Sequence, residues 1–184
     1  MNLIILPKDQ PLFRYRPDST LIRDLSVYYL PDQVQALLTT PVLSIRMRRP
    51  GKAIATRFAE RYWESFGFGL LLYPQLWDTE APHREFIENA MDFTSLIPLK
   101  TVSMDQYPAQ QLPTYRINGQ QWPASLQYPD LNTCAERLSE VSHYCSLRIG
   151  DLLLWELDTP RPLAVGDRLD ATWQEDRLWQ LEIR

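Results

Sequence analysis

An α+β fold rich in strands is predicted for this 184-residue chain by three features. Short apolar or alternating runs recur along its length, bounded by turn residues. Fifteen prolines against six glycines argue against long unbroken helices and for short strands joined by rigid turns. Only two or three stretches carry a helical period, which sets the class. A hydrophobic fraction of 45% with 23% charged residues supports one core without metals or disulfides, so residues 1–184 are read as a single domain.

The elements follow in order. Met1-Asn-Leu-Ile-Ile-Leu6 is an apolar run ended by Pro7, without a basic region or a small-residue cleavage site, and reads as a buried strand rather than a signal peptide. Arg16-Pro-Asp-Ser-Thr20 is a turn signal, and residues 27–30 are strand-like before the Pro31-Asp32 turn. Residues 42–48 alternate, with Leu43, Ile45 and Met47 on one face and Val42, Ser44, Arg46 and Arg48 on the other. After the turn at Arg49-Pro-Gly-Lys52, residues 53–64 change to a helical period of about three turns. Phe66-Gly-Phe-Gly-Leu-Leu-Leu72 is a continuous apolar run, read as a buried strand ended near Pro74.

Residues 74–92 read as loop with a helical piece over 84–91, and 96–99 as a further short strand. Residues 115–122 hold the strongest hairpin signal, Asn118-Gly119. Pro129-Asp130 precedes a helix capped by Asn132 or Thr133, with Leu138, Val141 and Tyr144 inward, ending near Ser146. Strands are expected at 152–156, 168–173 and 177–183. In the last, Trp179, Leu181 and Ile183 alternate against Leu178, Gln180 and Glu182.

Charge and length exclude several classes. A net charge of −4 and a pI near 5.2 give nucleic acid or an anionic membrane no general attraction, and neither partner is expected. No segment reaches the length of a membrane span, so a cytoplasmic location is expected. Cys134 and Cys145 lack zinc-type spacing and read as reduced core thiols.

Arg16-Pro-Asp-Ser-Thr-Leu21, Gly51-Lys-Ala-Ile54, Gly150-Asp-Leu-Leu153, Asp158-Thr-Pro160 and Gly166-Asp167 stand in an order and spacing that resembles the fumarylacetoacetate hydrolase family over nearly the whole chain. The resemblance implies a mixed β-sheet roll or sandwich with two or three short helices, and commonly a homodimer. It also implies a divalent metal held by a Glu-x-Glu pair and a later Asp, a His base near the N-terminus, and a downstream Lys. Carried onto this chain, the Glu-x-Glu positions fall on Thr40 and Val42, the Asp on Leu71, and the Lys region near Glu88 and Asn89. The segment that should hold the His is missing between Leu6 and Phe13, a shortened N-terminal segment. The family's Thr-Gly-Thr-Pro loop has become Glu156-Leu-Asp-Thr-Pro160, without its glycine.

A hard dication requires several oxygen ligands to replace its hydration. The strand face of Thr40 and Val42 offers a hydroxyl, an isopropyl group and two guanidinium groups. Each cation about 4–8 Å away opposes a dication by ~1–4 kcal/mol. The expectation is a catalytically inactive homologue without a cofactor, retained as a binding or assembly protein. It is expected to be a homodimer or to pair with an active relative. One alternative is an active hydrolase, isomerase or decarboxylase of a small oxo-acid with altered ligands such as Glu156 and Asp158, which would need Mg or Mn. Another is a small-anion-binding module using Arg46 and Arg48.

Blander readings are preferred elsewhere. His83, Glu85 and Glu88 are read as a solvated helical surface, because positions 83 and 85 point apart on a helix. His143 is read as a hydrogen-bonded residue near a helix end. The basic group Arg46, Arg48, Arg49, Lys52 and Arg57 is read first as a solvated strand end, and the six tryptophans as packing residues.

Overall fold

Two long strands that alternate between two apolar layers organise the molecule. A computed structural model describes residues 1–8, 11–22, 26–77, 81–108, 111–122 and 126–184. Its strands are β1 (Asn2–Leu6), β2 (Arg14–Pro17), β3 (Leu21–Ile22), β4 (Val27–Tyr28), β5 (Val34–Met47), β6 (Trp63–Leu76) and β7 (Ser95–Leu96). They continue as β8 (Val102–Ser103), β9 (Thr114–Ile117), β10 (Gln120–Gln121), β11 (Leu152–Glu156), β12 (Arg161–Leu163), β13 (Arg168–Trp173) and β14 (Asp176–Ile183). The α-helices are α1 (Ala81–Ala90) and α2 (Leu131–Tyr144).

A nine-stranded mixed sheet runs β2-β1-β11-β5-β6-β7-β3, with β12 also on β5 and β8 also on β6. A five-stranded sheet runs β10-β9-β13-β14-β4. The chain is therefore α+β and β-rich. The inner layer joins Ile4, Leu43, Ile45, Phe66, Phe68 and Leu70 of the large sheet to Tyr115, Trp173, Trp179 and Leu181 of the small one. Cys134, Leu138 and Val141 of α2 close one side. Phe68 meets Trp173 edge-on at 4.9 Å between ring centroids, an arrangement aromatic quadrupoles favour. The opposite face of the large sheet carries a second layer of Leu3, Ile5, Val42, Leu71, Leu152 and Leu154.

The Gly-Asp motifs act as turn clasps. Gly150 takes a φ of +83°, and the carboxylate of the buried Asp151 accepts from Asn2 N at 2.7 Å and Arg148 N at 2.8 Å. Asp167 repeats the device, accepting from Ala164 N and Asn118 Nδ2, each at 2.8 Å. The hairpin at Asn118 (φ +52°) and Gly119 (φ +77°) forms as expected, because its tight turn needs two left-handed residues.

Several local expectations are corrected. Residues 53–64 do not form a three-turn helix. A 3₁₀ segment spans Thr56–Arg61, and Trp63 opens β6 by pairing with Met47, so the sheet takes the residues the helical period had claimed. β5 begins at Val34 rather than near 42. Pro41 is tolerated because β5 changes neighbours there, from β11 at 42–46 to β12 at 37–39. β6 continues through Pro74, where its second edge has no partner strand among the described residues. α2 is capped by Asp130, whose carboxylate accepts from Thr133 N at 2.7 Å, not by Asn132 or Thr133. Tyr144 points outward, because α2 ends at that residue beyond the packed stripe. The loop reading at 78–80 lies outside the described residues.

Candidate functional site

The two positions of the Glu-x-Glu pattern lie on β5, and both Thr40 and Val42 point to the outer layer of the large sheet. Register places Thr40 beside Leu71 of β6, Val42 beside Gly69, and Glu156 of β11 beside Val42 on the other edge. The fold thus gathers Thr40, Val42, Leu71 and Glu156 on neighbouring strands. Val42, Leu71, Ile5 and Leu154 are fully buried there. The Thr40 hydroxyl donates to the Asp158 carbonyl at 2.7 Å.

These residues do not fit a divalent metal. The three positions present one hydroxyl, already engaged, and two alkyl groups packed in a closed layer. Magnesium or manganese needs near-octahedral oxygen donors, and desolvating the ion against isopropyl and isobutyl groups would go uncompensated. Among the described residues, no three His, Cys, Asp or Glu side chains gather as a metal set.

Glu156 and Asp158 are held by different partners. Tyr73 OH donates a short hydrogen bond to Glu156 Oε1, and Lys8 N donates to Oε2 at 3.4 Å. Burial pushes the Glu156 carboxyl up from its ordinary value of 4.5, against the opposing pull of these bonds and of Arg14 and Arg16. Burial and the nearby Glu156 carboxylate raise the Tyr73 phenol well above its ordinary value. Asp158 accepts from Trp122 Nε1 at 2.9 Å and Arg161 Nε at 3.0 Å, and Lys8 Nζ lies 3.6 Å away. Burial raises its carboxyl, but the bonds from Trp122, Arg161 and Thr159 outweigh that and leave it below the ordinary 3.8. The two carboxylates end on separate clasps, with Lys8 touching both. Glu156 also lines a cleft of about 540 Å³ with Lys8, Trp155 and Arg137.

Sequence reasoning missed Arg16 as a buried residue. It is fully buried on the same face, donating to Leu72 O and Thr94 O at 2.9 Å each and to Ser95 Oγ at 3.2 Å, with its guanidinium 4.6 Å from the Tyr73 ring centre. Burial lowers its pKa, while Tyr73 and Glu156 oppose that fall. The only signal was its place in the Arg16-Pro-Asp-Ser-Thr-Leu21 segment of the resemblance.

Arg46 and Arg48 part company. Arg46 stays on the outer face of β5, its Nε 3.5 Å from Glu64. A register shift follows at Met47, the strand ends, and Arg48 Nε donates to Arg61 O at 3.1 Å. Of the helical surface group, Glu85 pairs with Arg14, and Glu88 pairs with Arg84 and accepts from Leu76 N. His143 Nδ1 sits 2.7 Å from Ser139 O. Both cysteines are free, and among the described residues no helix is long and apolar enough to cross a membrane.

No family model and no curated protein matches the sequence. Solved structures do. Fumarylpyruvate hydrolase from Pseudomonas aeruginosa, solved with Mn²⁺ and pyruvate, is 16% identical, with a TM-score of 0.78 over 100% of this chain and 89% of that one. A 5-carboxymethyl-2-hydroxymuconate delta-isomerase from Mycobacterium smegmatis is 15% identical, with a TM-score of 0.76 over 99% of this chain and 78% of that one. A fumarylacetoacetate hydrolase family protein from Yersinia pestis is 18% identical, with a TM-score of 0.74 over 100% and 92%. Hydrolases and isomerases thus share one architecture with this chain, and its fold is that of the fumarylacetoacetate hydrolase family.

Proposed function

We propose that this chain is a catalytically inactive relative of those hydrolases and isomerases, which works in the cytoplasm by binding or assembly and not by metal-dependent chemistry. Its partner is a second copy of itself or an active relative of the same fold. One observation carries the reading: where the resemblance requires three carboxylates, Val42 and Leu71 form part of a closed alkyl layer and the Thr40 hydroxyl is engaged by the Asp158 carbonyl. Two of the residues that match the family, Asp151 and Asp167, hold turns.

The substitute ligand set of Glu156 and Asp158 finds less support. A metal there would have to displace Tyr73 and Lys8 from one carboxylate and Trp122 and Arg161 from the other. Thermal unfolding with magnesium and manganese tests the proposal. A ligand at a hundredfold excess over its Kd adds about 2.7 kcal/mol, a rise of several degrees. The expected result is no shift and no cleavage of an acylpyruvate. A saturable rise, or manganese-dependent cleavage, overturns it.

A further inference from the structure

On the outer face of the large sheet, one residue pair beyond Val42 along β5, the alkyl layer gives way to a cavity of about 180 Å³. Leu21, Ile97 and Leu152 form its apolar wall, Ser44 and Ser65 line it, and Arg46 stands at its edge. Register explains the grouping, since Ser65 lies beside Arg46 and Leu152 on its other side, while Ser44 faces Gly67. Gly67 keeps the space open, because a Cβ there would lie 3.2 Å from Ser44 Oγ.

Ser44 is 3% exposed and Ser65 8% exposed, and among the described residues neither hydroxyl has a hydrogen-bond partner. Both hydroxyls open onto the same small cavity beside a guanidinium, so three polar groups free to donate face one space. Arg46 is half exposed, and among the described residues Glu64 is its one ion-pair partner, through Nε, so its Nη donors remain available.

We infer that this cavity binds a short aliphatic carboxylate. The carboxylate accepts from the Arg46 guanidinium and from the hydroxyls of Ser44 and Ser65, and the alkyl chain lies against Leu21, Ile97 and Leu152. The volume matches about six waters at ~30 Å³ each, a chain of roughly four to six non-hydrogen atoms. Arg46 supplies charge-assisted bonds that a neutral ligand could not use fully. The inference rests on the binding role proposed above and names its ligand class. It needs no metal, so it is tested without one.

The experiment is a ¹⁵N NMR titration of the whole chain in buffer containing EDTA, with butanoate, propanoate and butanamide as probes. Butanoate is expected to give saturable shifts at residues 44, 46 and 65, and butanamide to bind more weakly. Arg46→Gln should weaken butanoate about tenfold or more, as loss of a charged hydrogen bond implies, and leave butanamide unchanged. Ser65→Ala should weaken both carboxylates by a smaller factor. No saturable shift, equal binding of acid and amide, or an unaffected Arg46→Gln variant overturns the inference. Such a failure leaves the magnesium and manganese result untouched, and a metal-induced rise in stability leaves this titration untouched.

Discussion

Glu156 and Asp158 lie two positions apart, yet their surroundings drive them in opposite directions. Glu156 is raised above 4.5, so the folded protein takes up its proton more readily than the unfolded chain. Its ionised form costs stability at neutral pH, and that cost is recovered as pH falls through the raised value toward 4.5. Asp158, lowered below 3.8, contributes stability above that value that is lost as pH falls through its folded pKa. Tyr73→Phe removes the donor that holds Glu156 Oε1. The variant should lose about 1–3 kcal/mol near neutral pH, and less as the carboxyl gains its own proton. Urea denaturation at the two ends of that range reads the difference, and a loss independent of pH would separate Glu156 from Tyr73. The i,i+2 spacing made the two acids visible in sequence. Their partners were not visible, because Tyr73 lies 83 residues from Glu156 and Trp122 lies 36 from Asp158. Arg16 was equally hidden, since only distant carbonyls make a fully buried guanidinium tolerable.

Among the elements, β6 and β7 meet through a glycine. A Cβ on Gly69 would lie 2.4 Å from Leu96 O and 2.7 Å from Ile97 Cδ1. Gly69→Ala should therefore force β7 off β6 and destabilise the protein by about 1–3 kcal/mol, the range for overpacking. Chemical denaturation measures it, and a neutral substitution would mean that the β6–β7 pairing has slack. Apolar runs bounded by punctuation and the specific turn pair were legible: residues 2–6, 152–156 and the Asn118-Gly119 hairpin fall where the sequence places them. Residues 53–64 were not, because Phe58, Ala59, Tyr62 and Trp63 satisfy a helical stripe as well as they satisfy a turn leading into a strand. The choice is made by Met47, which pairs with Trp63. Pro74 misplaced a strand end for a related reason: a missing N–H matters only where a neighbour strand asks for it.

At the scale of the whole molecule, what could be read in sequence was the frame and not the occupant of the site. The Gly-Asp clasps join distant segments at fixed turns, whereas the outer layer depends on which side chains three separate strands bring together. A homodimer, proposed on the family likeness, should sediment at twice the 21.6 kDa chain mass at micromolar concentration, and a monomer there removes that part of the proposal. One further consequence concerns biosynthesis. β11 lies between β1 and β5, with Leu3 beside Leu152 and Ser44 beside Leu154. The central slot of the large sheet is thus filled by residues that leave the ribosome long after both flanking strands. A stalled or truncated nascent chain would present two naked apolar edges, a substrate for chaperones and a seed for aggregation.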